Sequence, residues 1–188
     1  MSDFPLGWGT LTLVKGDITK YEAGAVVNAA NSGLMGGSGV DGAIHRVGGP
    51  RILEECKEII AKIGRLEPGK AVMTTGGDLP SKYVIHTVGP FWQGGLHKEE
   101  EVLRSCYREC LKLAREEGLK SIAFPSISTG AYRYPMDKAA YAAIDEVHDF
   151  MDSEDGKGMG SVTFVLWNDD ALETYTKAYW GLREHVWD

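Results

Sequence analysis

Residues 25–48 read AVVNAANSGLMGGSGVDGAIHRVG: a β-rich run, a glycine-rich stretch, and a short helix-like segment at AIHRVGG. Gly33, Gly36, Gly37 and Gly39 permit left-handed backbone and close approach, so successive N–H groups can converge on an anion at a helix N-terminus. The natural anion is a phosphate. Gly37, Gly39 and Gly42 also match the letters of the dinucleotide-binding fingerprint, but the turn does not follow its strand directly and no acidic residue ends a second strand about twenty positions on. No Lys stands in the GK[ST] position of a nucleoside-triphosphate loop, and Val40 occupies the last glycine position of a G-x-S-x-G elbow around Ser38.

Outward from this stretch, strand-like and helix-like segments alternate. Short β-rich runs lie around Leu11 to Val14, from Ala25, and at Lys70 to Thr74, Tyr83 to Thr87, Ser121 to Phe124 and Val162 to Trp167. Between them, apolar residues recur at three and four: Ile52, Cys56, Ile59 and Ile63; Leu103, Cys106, Tyr107, Cys110 and Ala114; Ala143, Val147 and Phe150; Leu172, Tyr175, Tyr179, Leu182 and Val186. The segment from Glu99 opens on acidic residues and closes at Gly118 after Lys112 and Arg115, matching a helix dipole at both ends. This pattern predicts an α/β sandwich, with helices on both faces of a sheet and ligands at the strand ends. The polar stretch 152–161, DSEDGKGMGS, reads as a solvated loop, and the chain, 1–188, as a single domain.

The net charge is -7, which argues against long nucleic acid as a partner because cationic stripes supply that affinity. An anionic ligand must be held by local geometry instead. Cys56, Cys106 and Cys110 cannot all pair and read as buried thiols; without a CxxC or a Cys and His cluster, no metal site is expected. No apolar run reaches the length of a membrane helix and MSDFPLGWGT lacks signal-peptide character, so the predicted location is cytoplasmic.

A second loop, PSISTGAYRYP from Pro125, offers Ser128, Thr129 and Gly130 as hydroxyl and backbone donors, with Tyr132 placed to cover a ligand. Two donor-rich loops at strand ends suggest a diphosphate clamp, against two ordinary glycine-rich turns. Asp41 is either a helix N-cap or a carboxylate that orients water, and Asn31 either a turn former or a partner for vicinal sugar hydroxyls. His45 reads as a packed histidine one turn beyond Asp41; His86, His97, His148 and His185 carry no signal. Asp17 caps a turn or accepts from an adenine amino group, and Trp167 packs in the core or offers its face to a base.

GDITKYEAGAVVNAANSGLMGGSGVDGAIHRVGGP, LPSKYVIHTVGPFW and SIAFPSISTGAYRYP, in that order, resemble the MacroD-type branch of the macrodomain family. The resemblance implies a three-layer α/β/α sandwich with a mixed sheet and an ADP-ribose cleft at the strand ends. It makes Asp17 the adenine acceptor with the Ile18 backbone beside it, Gly37, Ser38, Gly39 and Val40 one diphosphate loop, and Ser128, Thr129, Gly130, Ala131 and Tyr132 the other. Asn31 falls on the distal-ribose Asn, Asp41 on the catalytic Asp, Tyr132 on the aromatic shaping the distal ribose pocket, and Trp167 near an adenine-stacking aromatic. Ser38 and Arg133 depart from the branch, standing where glycine is common. The implied activity is metal-independent hydrolysis, without a cofactor, of O-acetyl-ADP-ribose and of mono-ADP-ribose on acidic side chains of modified proteins. The alternative is a non-catalytic ADP-ribose reader, which lacks a competent Asn and Asp pair.

Overall fold

A computed structural model describes residues 1–187. The β-rich runs form strands Gly9–Lys15 (β2), Ala25–Ala29 (β3), Ala71–Thr75 (β4), Tyr83–Thr87 (β5), Ser121–Phe124 (β6) and Ser161–Leu166 (β7). A further strand, Ser2–Leu6 (β1), lies in a segment that carries no strand signal because Asp3 and Pro5 interrupt it. It runs antiparallel to β2 at the sheet edge, where a proline's missing N–H costs no ladder bond, and it buries Phe4 and Leu6. The hairpin turns at Gly7, whose φ is +52° and whose hydrogen faces the Met151 carbonyl; a Cβ there would lie 2.3 Å from that oxygen.

The sheet order is β1-β2-β7-β6-β3-β5-β4, with β2, β7, β6, β3 and β5 mutually parallel and both edges antiparallel, so the sheet is mixed. Strand alternation divides the core. Ala25 and Val27 of β3 point to the face covered by Glu99–Glu116 (α3), Met136–Asp152 (α4) and Asp169–His185 (α5), while Val26 points to Gly39–Gly48 (α1) and Pro50–Ile63 (α2). The result is a three-layer α/β/α sandwich. Helix α1 begins earlier than the AIHRVGG segment, at Gly39, so the end of the glycine loop is its first turn.

Of the stretch 152–161, residue 152 ends α4, 161 opens β7, and 153–160 is a loop with one 3-10 turn at Glu154–Gly156, yet it is not wholly solvated, because Gly156 and Met159 are buried. All three cysteines are reduced and buried, and burial pushes the Cys56 and Cys106 thiols up to about 11. No helix among the described residues is long and apolar enough to cross a membrane.

One departure from regularity positions the site. β3 and β6 pair only at Ala25–Ile122 and Val26–Ala123, while β3 continues to Ala29 against β5. The chain leaving β3 turns to the α1/α2 face and the chain leaving β6 leads to α4 on the other. Adjacent parallel strands that exit to opposite faces open a crevice at their C-terminal ends.

The α3/α4/α5 face rests on packed rings, with Phe164 stacked on Phe124 at 5.6 Å between centroids and tilted against Tyr175 at 5.0 Å. Phe164→Ala should therefore cost about 3–5 kcal/mol by leaving a cavity in a fully buried ring cluster. Chemical denaturation showing a loss below about 1 kcal/mol would mean the cluster does not carry the core.

Candidate functional site

At the β3/β6 divergence lies a cleft of about 340 Å³. Its walls are the two loops read from the sequence: Asn31, Gly37, Ser38, Gly39, Val40 and Asp41 on one side, Ser128, Gly130, Ala131 and Tyr132 on the other. Ala29, Ala30, Gly89, Pro125, Ser126 and Ile127 complete it.

The first loop is held shut by contacts only glycine allows. A Cβ on Gly42, in the first turns of α1, would lie 2.4 Å from the Gly37 carbonyl, so that missing carbon lets the loop lie on the helix. The Asn31 amide donates to the Gly36 carbonyl at 3.0 Å, and Leu34 is buried beneath. The second loop is fixed from below. The Ile127 amide donates to the Tyr107 hydroxyl of α3, and the Tyr175 hydroxyl of α5 donates to Ser126. Arg133 and Tyr134 amides donate back to the Gly130 and Ser128 carbonyls, closing the turn. Arg133 sits at φ +60°, a left-handed backbone that suits glycine.

Among the described residues, the amides of Gly37 to Val40 and of Ser128 to Tyr132 donate to no protein acceptor, and those of Gly39 and Val40 are the open N-terminal donors of α1. No Lys or Arg lines the cleft. An anion there is met by backbone dipoles and a helix N-terminus.

Asp41 is not an N-cap. It is the third residue of α1, with Ser38 at the cap position, and only 6% of it is exposed. Its Oδ1 accepts from Asn28 Nδ2 at 2.8 Å and lies 3.5 Å from His45 Nε2. Its Oδ2 faces Gly37: a Cβ built there would lie 3.1 Å from Oδ2 and 3.7 Å from Asn31 Nδ2, so both side chains converge on one point of the loop. Burial raises the Asp41 pKa, against the opposing pull of the Asn28 hydrogen bond and of His45. Burial and the Asp41 charge together push the Tyr132 hydroxyl up, which keeps it a donor.

Tyr132 is itself covered, because the Phe91 ring stacks on it with centroids 3.7 Å apart. The Trp92 amide donates to the Tyr132 carbonyl, tying loop 90–98 to the second loop. Glu99 orders that loop, accepting from the amides of Gln93, Gly95 and His97 at 2.7–3.0 Å.

Four candidates lie outside the cleft walls. Thr129 spends its hydroxyl on Ser126 within the turn. Asp17 caps a 3-10 turn, Ile18–Lys20, through the Thr19 hydroxyl and amide, which with Lys20 and Arg46 hold its carboxyl below the usual range. Ile18 is buried beside it. Trp167 does not pack in the core: it is 76% exposed, at the end of β7. Because β2 and β7 are paired and parallel, Asp17 and Trp167 emerge from neighbouring strand ends.

The residues that sequence reasoning passed over are Asn28 and His86, both fully buried. They are register partners across β3 and β5, on the face of α1 and α2. A polar residue at the inward phase of each of two strands was the signal. His45, read as merely packed, lies against Gly36 and Asp41 and belongs to the site. Among the described residues, no group of three His, Cys, Asp or Glu side chains is placed to hold a metal ion.

A family model described as Macro domain matches residues 27–143. The chain is 53% identical over 169 residues to a macro domain-containing protein of Caldanaerobacter subterraneus, covering 90% of this chain and 95% of that one. It is 48% identical over 168 residues to an Enterobacter cloacae protein named O-acetyl-ADP-ribose deacetylase, covering 89% and 92%. Among solved structures, a mutant Oceanobacillus iheyensis macrodomain with ADP-ribose matches at TM-score 0.92 and 40% identity, covering 97% and 98% of the two chains.

The Glu99 loop carries its own test. Burial works to raise this carboxyl, but the backbone donors outweigh it and hold the pKa at about 2, below the ordinary 4.5. A depressed folded pKa contributes order that is full above 4.5 and is lost as pH falls toward about 2. NMR shifts of the Gln93, Gly95 and His97 amides should titrate with a midpoint near 2; a midpoint at an ordinary glutamate value would remove Glu99 as the loop's anchor.

Proposed function

The chain belongs to the macro domain family, and on that footing we propose that it binds ADP-ribose in the cleft and hydrolyses its acyl esters. The substrates are O-acetyl-ADP-ribose and mono-ADP-ribose carried on acidic side chains of modified proteins. The convergence of Asn31 and Asp41 on Gly37 is the observation that carries this reading. A reader needs only the donor loops; a buried carboxylate beside an amide at the end of the clamp serves chemistry on the sugar held there.

The ligand's parts fall to this chain's groups in order. Adenine lies at the β2 and β7 ends, its amino group to Asp17, its ring beside the Ile18 backbone and against the exposed face of Trp167. The diphosphate crosses between the free amides of Gly37 to Val40 and Ser128 to Tyr132, with Ser38 adding a hydroxyl. The distal ribose then projects past Gly37, where Asn31 holds its hydroxyls, Tyr132 closes over it and Asp41 Oδ2 orients a water.

In the acetyl ester the water oxygen attacks the acyl carbon and the bond from that carbon to the ribose oxygen breaks. One water proton passes by way of Asp41 to the ribose oxygen and the other is released from the new carboxyl group to solvent, leaving acetate and ADP-ribose. With a side-chain ester, attack at the acyl or the anomeric carbon consumes one water and gives the same products, a free carboxylate and ADP-ribose. Every step draws on this chain's own groups.

Two expectations follow from the two ends of the cleft. Asp41→Ala and Asn31→Ala should each lower single-turnover hydrolysis of O-acetyl-ADP-ribose or of a mono-ADP-ribosylated acidic peptide by about 100-fold or more, with ADP-ribose affinity little changed. Because burial raises the Asp41 pKa, the acid limb of the rate profile should lie above the ordinary aspartate value of 3.8. Wild-type inactivity on both substrates, or full activity of Asp41→Ala, would replace the hydrolase with the reader. At the other end, Trp167→Ala should weaken ADP-ribose binding by about 1 kcal/mol while leaving ribose 5-phosphate binding unchanged. Asp17→Ala should act the same way in calorimetry, and an equal loss for both ligands would remove the adenine assignment.

A further inference from the structure

Beneath Asp41 a chain of buried hydrogen bonds runs away from the cleft. Asn28 Nδ2 lies 2.8 Å from Asp41 Oδ1 and 3.1 Å from His86 Nδ1; His86 Nε2 lies 2.9 Å from Thr74 Oγ1, which lies 3.0 Å from the Thr75 carbonyl. None of these partners lines the cleft except Asp41. We propose that Asn28 and His86 are positioning residues: this chain has one direction, ends on Asp41 with a donor, and so pins Oδ1 while leaving Oδ2 toward the substrate.

The direction follows from counting hydrogens. A hydroxyl has one hydrogen, and Thr74 gives its own to the Thr75 carbonyl, so it accepts from His86 Nε2; the Cys56 sulfur, 3.8 Å from the same nitrogen, is a weak acceptor that can share that N–H. Full burial brings the His86 pKa down to about 3, so the ring is neutral and carries a single N–H, on Nε2. Nδ1 is then a bare acceptor, and the Asn28 amide must turn its NH2 toward it. The second hydrogen of that NH2 points at Asp41. Flipping the amide would set the Asn28 carbonyl against two acceptors at once. Asn28 Oδ1 is buried without a partner, an arrangement that persists because both bonds of the NH2 oppose the flip.

The consequence lies in Asp41. A donor from below favours the carboxylate over the acid, against the burial that favours the acid. The other groups facing it are His45 from α1, Tyr132 from the second loop and Cys56 from α2, which feels the Asp41 charge. His45 lies 3.5 Å from the same Oδ1, too far to replace Asn28.

The kinetic arm of the test rests on the hydrolase reading; the spectroscopic arm does not. In the wild-type protein, nitrogen NMR at neutral pH should show His86 as the neutral Nε2–H tautomer. The Nδ1–H tautomer, or a protonated ring, would overturn the proposal whatever the enzyme hydrolyses. In Asn28→Leu, the Asp41 carboxyl followed by carbon NMR should titrate at higher pH than in wild type, and an unchanged or lower value would overturn it. In turnover of O-acetyl-ADP-ribose, His86→Phe should lower kcat by about tenfold and move the acid limb upward, with KM unchanged, while His86→Gln, which keeps an acceptor for Asn28, recovers most of the loss. Equal losses in both His86 variants with an unmoved acid limb would reduce His86 to a packing role. If neither variant folds, the wild-type tautomer decides. Absence of wild-type turnover would defeat the hydrolase reading and leave the two NMR outcomes standing.

Discussion

Everything at the cleft depends on β3 and β6 parting after two paired residues. Had the ladder continued past Val26 and Ala123, the chain after each strand would have been zipped to its neighbour and the space between the loops filled by sheet. Instead β3 spends its last residues on β5, and β6 hands over to a loop hung from Tyr107 and Tyr175. The two donor loops face each other because their strands are neighbours, and stay apart because their helices lie on opposite faces.

Holding such loops open has a backbone cost. Among the described residues, the non-glycine positions with positive φ are Leu34, Lys98, Ser128 and Arg133, in the first loop, at the N-cap of α3 and in the second loop. Each such conformation costs on the order of 1 kcal/mol or more and persists only where surrounding contacts over-determine it. Ser128 shows the mechanism: its hydroxyl fits over Gly89 so closely that a Cβ there would lie 2.1 Å from it. Asp41 adds an electrostatic cost. Its folded pKa is raised, so its proton contributes stability that is present below the unfolded carboxyl range and lost as pH rises through the folded value. Above that value the protein carries the charge at a net expense in folding, which the Asn28 hydrogen bond reduces.

The layers and both loops were legible because period and punctuation carry them: β-rich runs bounded by turns, apolar residues at three and four, glycine where the chain must close on itself. β1 escaped because Pro5 and Asp3 make its segment look unlike a strand, and an edge tolerates what a centre does not. Asn28 and His86 escaped for a different reason. Each is a single polar letter in a strand, and only the register of β3 on β5 makes them a pair. Asp41 was legible as a residue but not as a geometry, since the first turn of α1 begins inside the glycine loop. The proposed adenine end was legible only as two separate letters, because Asp17 and Trp167 are brought near by the parallel pairing of β2 with β7.

The cleft wall contains no lysine or arginine, and its open donors are main-chain amides. Such donors belong to no side chain, have no pKa within reach and survive every substitution except one to proline, which removes a single N–H. Substitutions along the loops at Ser38, Val40 or Ala131 alter the lining and leave the donor set intact, whereas a single added carbon at Gly42, which would meet the Gly37 carbonyl, turns the donors away together. The grip on an anion is thereby written in the smallest residues of the chain, and its chemistry can drift in sequence while its geometry cannot.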